Sequence, residues 1–317
     1  MDWSLDLPEQ TTFSGKGRLS GNLLNLHLKH SLARPATVIS DARISNWYQP
    51  SQAIVDLDKI KIELRSDWPE IALPLSTAMQ GTLPIPQLSS RNGHLQISGS
   101  WDNYVLSLHS QLAASANQGS ETAKSSNDDT PSSQTIIAQV LKKPATFKLE
   151  FNGNKLAILL NTLTLDTEAG KLGIRGRINA NGLLAAPSAN PSQVHALDWQ
   201  LKVKAERIDT ASALPQWPIK LATNLDSKGF WGDTGYRADL IINTLSGDIA
   251  GKAIAGSGAV TASNKGQEFK KLVLQLGDNH LSANGKLLDK SELNWLVNAP
   301  KLSQILPQLS GSVSSQG

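Results

Sequence analysis

The sequence predicts an all-β protein: an elongated, mostly antiparallel sheet, curled so that one face is apolar and concave, with short helical crossovers. Three observations lead there. Apolar and polar residues alternate with a period of two through most of the chain, which puts each apolar set on one face of a strand. Helical periodicity is nearly missing. A degenerate repeat of about 90–100 residues, with several strands per unit, recurs along the chain.

The elements follow in order. Met1-Asp2-Trp3 leads straight into a strand-like pattern. Leu24, Leu26 and Leu28 alternate with Asn25 and His27. In residues 55–64 the apolar parity shifts between Leu57 and Ile60, which predicts a β-bulge near Lys59. Leu95 and Ile97 alternate with polar neighbours in residues 92–101. Residues 113–135 are rich in Ser, Asn, Thr and Asp, without one large apolar side chain; such a segment cannot repay the entropy of ordering and is predicted to be a mobile loop. Phe147, Leu149 and Phe151 alternate with Lys148 and Glu150, and Leu163 and Leu165 with Thr164 and Asp166. Leu172 and Ile174 continue the pattern, then Trp199, Leu201 and Val203 alternate with Gln200, Lys202 and Lys204. The last rows are Leu272, Leu274 and Leu276; Leu281, Ala283, Gly285 and Leu287; and Leu293, Trp295 and Val297. Residues 209–217 and 300–309 are the helix candidates, both short.

Those two candidates expose the repeat. Each follows a Trp-bearing strand and contains Leu-Pro-Gln, at Leu214-Pro215-Gln216 and Leu306-Pro307-Gln308. Upstream, the sixteen residues from Leu163 align without gaps to those from Leu272, pairing Leu165 with Leu274, Leu172 with Leu281, Gly176 with Gly285 and Ile178 with Leu287. Trp199 and Trp295 stand 96 residues apart, and Trp3 about two such steps before them. The expected division is a first unit at 1–101, a second at 102–197 carrying the 113–135 loop, and a third at 198–317 with the start of the next crossover.

Composition narrows the function. Net charge is +3, with 39% hydrophobic and 18% charged residues, and the basic residues are scattered. Nucleic acid needs a concentrated basic face, so it is not an expected partner. Cysteine is absent, which suits an oxidising compartment. No stretch approaches the roughly 20 apolar residues of a membrane span, and no signal peptide opens the chain. Both ends break into strand-like pattern, so the chain is expected to be a segment of a longer protein, with any export signal or anchor outside it.

No catalytic constellation emerges, and the chain is not expected to be an enzyme. Residues 15–21, GKGRLSG, carry the third glycine of a dinucleotide fingerprint one place too late and read as glycines at a turn between strands. In residues 251–258, Ser257 stands where a phosphate loop needs lysine and Gly258 where it needs Ser or Thr. The six histidines are dispersed; His27 and His30 would fall on opposite faces of a strand, so no shared metal is expected. Asp128-Asp129 reads as solubilising charge. The eight tryptophans could stack on sugars or bases, but Trp199 and Trp295 fall on the apolar parity of their strands, which favours core or groove lining. No cofactor is expected.

An antiparallel sheet with one apolar face must cover it. A sandwich does so with a second sheet and a barrel with its far wall. A sheet can also curl into a trough and let a ligand fill it. Ala283 and Gly285 sit mid-row, where a closed core would want bulk. A trough of aliphatic rows suits hydrocarbon chains, at roughly 0.8 kcal/mol per methylene buried. A closed sandwich or solenoid core is the alternative that periodicity alone leaves open.

Residues 274–313 resemble the repeat of TamB proteins. The matching motifs are the turn Gly277-Asp278-Asn279, Gly285 in the next strand, Leu293-Asn294-Trp295, Ala299-Pro300-Lys301-Leu302, and Leu306-Pro307-Gln308-Leu309 with Gly311. The resemblance is specific over about 40 residues; elsewhere it is compositional, as in the Gly-rich strand from Phe13 to Leu26. It implies an AsmA-like repeating β-groove, or β-taco, anchored in the inner membrane of a Gram-negative cell and crossing the periplasm. Its implied work is to move phospholipid toward the outer membrane, with the acyl chains against the rows above. It also implies a TamA-like outer-membrane barrel as partner, through regions outside this segment. Two further readings stand beside the conduit: a scaffold whose sheet edges template incoming barrel strands, and a passive stalk with a closed core.

Overall fold

The computed structural model describes residues 2–6, 12–22, 24–48, 57–73, 88–114, 139–184, 196–212, 215, 218–233, 235–287, 291–305 and 309–317. Almost all of it is antiparallel β-structure, with single 3-10 turns at Leu57–Lys59, Asn181–Leu184 and Leu302–Gln304 and helical backbone at Gln139 and Val140 before β8. The chain divides into two compact units, Met1–Lys155 with Asn161–Glu168, and Leu156–Leu160 with Ala169–Gly317.

The first unit is a meander of β1 (Asp2–Asp6), β2 (Thr12–Gly21), β3 (Asn25–Arg34), β4 (Val38–Ser45), β5 (Lys61–Leu73), β6 (Leu88–Ser100), β7 (Asn103–Ala114) and β8 (Ala145–Asn154). Each strand pairs antiparallel with the next. The strand β9 (Ala157–Thr167) is divided between the units. The second unit runs through β10 (Gly170–Asn179), β11 (Leu197–Asp209), β12 (Ile219–Gly232), β13 (Gly235–Ile249), β14 (Lys252–Ser263), β15 (Gly266–Leu276), β16 (Asn279–Leu287), β17 (Glu292–Ala299) and β18 (Val313–Gln316), again by consecutive antiparallel pairs. Among the described residues no register joins β1 to β8 or β10 to β18, so neither meander closes into a barrel.

Local sequence explains the corners. Ala250 and Gly251 link β13 to β14 with φ of 49° and 77°. A two-residue hairpin loop with both φ positive twists in the sense the strands require, and the Asp248 carboxylate accepts the Gly251 N–H at 2.7 Å. Inside strands the register slips at bulges, among them Asn92 in β6 and Lys271 in β15, each with positive φ.

Three expectations change. The parity shift in residues 55–64 comes from the 3-10 turn at Leu57–Lys59, after which β5 starts at Lys61; there is no bulge within a strand at Lys59. The glycines of residues 15–21 lie inside β2 rather than at a turn, where Gly15 packs under β3 so closely that a Cβ would meet the backbone of Ser31 and Leu32. Ala113 and Ala114 belong to β7, with Ala113 only 5% exposed; residues 115–135, Asp128-Asp129 included, lie outside the described residues. So do Leu306-Pro307-Gln308, Leu214 and Gln216. The described part of the second helix candidate is the 3-10 turn at Leu302–Gln304.

Candidate functional site

Cross-strand partners share a face, so the registers show which side chains stand together. In the first unit Leu28, Ala42, Leu64, Ile97, Leu106 and Phe151 are successive direct partners across β3 to β8. A parallel row reads Leu26, Ile44, Ile62, Gly99, Tyr104 and Gly153. A third holds Ser40, Ser66, Leu95, Leu108 and Leu149. Phe147 is opposite Ser110 on the same face. At one end of this face Ile60, Ile62, Ile97, Gly99, Trp101 and Tyr104 line a cavity of about 370 Å³.

The second unit repeats the arrangement. Leu172, Ala205, Thr223, Leu245, Gly256, Leu274, Leu281, Val297 and Ser315 form one row from β10 to β18. Gly176, Leu201, Ser227, Leu240, Val260, Phe269, Gly285 and Leu293 form the next. Ile174, Val203, Leu225, Ile242 and Gly258 form a third, while Leu272, Ala283 and Trp295 are partners across β15 to β17. Ile178 faces Trp199, and Leu276 and Leu287 continue the parity of their strands. Within each unit the registers therefore bring the predicted apolar residues onto one face. Leu163 and Leu165 are half-buried in β9, for which no register is described.

This face is apolar yet not sealed. Among the described residues no large side chain is fully buried, and the apolar ones below 9% exposure are mostly alanines. Leu28, Leu64, Ile97, Leu106, Leu225, Leu274 and Leu281 are all half-buried. A closed core would hold such residues near zero exposure, each touching roughly 6–12 others. Polar side chains on the face find hydrogen-bond partners. Ser40 and Ser66 share a hydrogen bond of 2.8 Å, the Thr223 hydroxyl donates to the Thr244 carbonyl at 2.8 Å, and the Tyr104 hydroxyl donates to the Lys155 carbonyl at 2.9 Å. Burial pushes the Tyr104 phenol up, so it stays neutral.

Four aromatic rings on this face pack against glycines of the neighbouring strand or its continuation: Trp68 against Gly93, Tyr104 against Gly153, Trp199 against Gly229 and Trp295 against Gly317, where any Cβ would collide with the ring. The indole edges are satisfied as well. Trp68 Nε1 donates to Ser90 Oγ at 3.0 Å, Trp199 Nε1 to Ser227 Oγ at 3.0 Å and Trp295 Nε1 to Ser315 Oγ at 3.3 Å.

The opposite face carries the charge. His27 Nε2 meets an Asp41 carboxylate oxygen at 2.8 Å, His94 Nδ1 meets Asp67 at 2.6 Å, and Lys148 and His109 both approach Glu150, at 2.9 and 3.7 Å. The hydrogen bond from His27 holds the Asp41 carboxyl below its ordinary range, and that from Lys148 does the same for Glu150. His30 lies on the apolar parity of β3, across the strand from His27, as the spacing requires. No group of three metal-ligating side chains gathers among the described residues.

Sequence reasoning did not single out Leu64, Leu106, Leu108, Leu225, Leu240, Ile242, Leu245 or Phe269 as members of the face. In β13 the register slip between Ile242 and Leu245 breaks the period that would have announced them. The partner serines and glycines of the tryptophans carry no hydrophobic signal at all.

A family model described as TamB, N-terminal domain, matches residues 131–316. The translocation and assembly module subunit TamB of Haemophilus influenzae is 28% identical over 170 residues, covering 53% of this chain and 12% of that protein's length. The chain thus spans about an eighth of the length of that curated relative. No solved structure matches.

Proposed function

Because this chain belongs to the TamB family, we propose that it is a periplasmic stretch of a longer, inner-membrane-anchored protein, and that its apolar face carries phospholipid acyl chains between the inner and outer membranes. The observation behind this reading is the row from Leu172 to Val297: apolar or small residues in register over eight strands, half-buried throughout, with the charge on the opposite face. Such a face can bury methylenes at roughly 0.8 kcal/mol each, while a headgroup stays at the wet rim. The sites are the rows through Leu95 and Ile97, Phe147 to Phe151, Leu163 and Leu165, Leu172 and Ile174, Trp199 to Val203, Leu272 to Leu276, Leu281 and Leu287, and Leu293 to Val297. The units at 1–101, 102–197 and 198–317 would then each contribute such rows. Mass spectrometry of organic extracts from the purified chain tests this, with phospholipid expected. Lipid-free protein that also takes up no fluorescent acyl probe would sink it.

A second reading is assembly of outer-membrane β-barrels with a TamA-like partner. It is favoured by the module named in the Haemophilus relative and by strand edges that a client could extend. Crosslinkers on β18 should then capture nascent barrel strands, and crosslinkers at Leu225 or Leu274 should not.

A further inference from the structure

We infer that Ser90, Ser227 and Ser315 are positioning residues: each pins a tryptophan against a glycine of its own strand or the residue that follows it, making a flush seat past which a single hydrocarbon chain can lie. This rests on the acyl-chain reading above.

The three seats have one construction. Trp199 is the direct partner of Gly229, and its indole N–H reaches Ser227 two residues away on the same strand, β12. Trp295 exchanges both backbone hydrogen bonds with Gly317, and its indole N–H reaches Ser315, again two residues away. Trp68 is the partner of Gly93 and reaches Ser90. Here the spacing is three: Asn92, with φ of 49°, is bulged against β7, while the β5–β6 register stays unbroken. The tryptophans stand on β5, β11 and β17, six strands apart in chain order.

The chemistry points to hydrocarbon. A glycine on an apolar face leaves its peptide dipoles open to whatever fills the face, and an indole laid over it screens them. The ring itself has one polar group, its N–H, and a hydroxyl of the covered strand accepts it. The seat then offers an occupant no donor to satisfy. A polypeptide client, which carries a donor and an acceptor per residue, would leave its own groups unpaired there. A methylene chain leaves none. Without the hydroxyl, the indole N–H must find another acceptor, and rotation of the indole out of the seat toward water is the accessible route. A ring standing upright on Trp199 would block the row shared by Leu201, Ser227 and Leu240.

The 317-residue chain carrying ¹⁵N-labelled indoles tests this, with Ser227→Ala, Ser315→Ala and the conservative Ser227→Thr. In Ser227→Ala the Trp199 indole N–H signal should shift and its hydrogen exchange quicken by about tenfold, the loss of one ordinary hydrogen bond. Affinity for a fluorescent hexadecanoyl probe should fall roughly five- to tenfold. Ser315→Ala should do the same through Trp295, and Ser227→Thr should restore both readouts. An unchanged Trp199 signal in folded Ser227→Ala overturns the pinning role. A released indole with unchanged probe affinity overturns the seat. If the unsubstituted chain binds no acyl probe, the acyl-chain reading fails and takes the seat with it, while the indole signals still report whether the serines pin the rings.

Discussion

Leu274→Arg separates an open apolar face from a sealed core. Leu274 lies between Gly256 on β14 and Leu281 on β16, and its side chain lies over the bare Cα of Gly256. It is half-buried. Complete burial of a leucine contributes roughly 1.5–3 kcal/mol, so the substitution forfeits about 1 kcal/mol. The arginine stem recovers part of that by lying along the face while its guanidinium reaches water. A fold that loses about 1 kcal/mol of a typical 5–15 kcal/mol still melts cooperatively. An unpaired charge in a sealed core would cost several kcal/mol instead. For a bound chain the loss is larger than for the fold. One strand spacing of about 4.8 Å is crossed by ~4 methylenes. At roughly 0.8 kcal/mol each they amount to about 3 kcal/mol, near a hundredfold in affinity. Circular dichroism with thermal melting, followed by titration of a fluorescent acyl probe, reads both quantities. The expected protein is soluble, melts cooperatively and has lost the probe. Unfolding or aggregation would refute the open face, and normal probe binding would show that this row is not the path.

The clasp between the β15–β16 turn and the segment after β17 makes its own prediction. Asn279 is 5% exposed; its amide donates to the Leu276 and Lys301 carbonyls and to Gln304 Oε1, and accepts from the Lys301 N–H. Asn279→Ala strands those groups and should cost about 1–3 kcal/mol in urea melts, with faster amide exchange at Asp278 and Lys301. Gly285→Ala should destabilise by roughly 1–3 kcal/mol or more in the same assay, because φ there is +128° and a Cβ would strike the Glu292 carbonyl oxygen. Acid should weaken the clasp. Hydrogen bonds from Lys301 and Gln304 hold the Asp278 carboxyl below its ordinary range. A depressed folded value stabilises above the unfolded one, about 4, and the contribution is lost as pH falls through the folded value. Melting temperature should therefore drop below about pH 4, less so in Asp278→Asn, and a flat profile from pH 6 to pH 2 would contradict this.

Much of this was legible from period-two alternation, because each face of a strand meets one environment. The gapless alignment of residues 163–178 to 272–287 places β9 and β10 on β15 and β16 strand for strand, down to the turn between them. Trp199 and Trp295 prove equivalent also in their glycine and serine partners. Trp68 was not singled out from sequence, and its serine lies three rather than two residues from its glycine, beside the bulge at Asn92. The supposed bulge at Lys59 failed for a related reason: a helical turn and a bulge both shift parity by one, and hydrophobicity alone does not tell them apart. The clasp at Asn279 left no pattern, since its partners Lys301 and Gln304 lie more than twenty residues away and are ordinary surface residue types.

Every register described in this chain joins strands that are neighbours in sequence. Each closure spans only the connection between two consecutive strands, from two residues between β13 and β14 to thirty between β7 and β8, and its entropy grows slowly with that length. A nascent chain of this kind can add strands one at a time from its beginning, like a zipper drawn in one direction. It need not wait for its end to arrive. For a long polypeptide delivered gradually, unpaired strand is then confined to the first edge and the newest one, however many strands have been added.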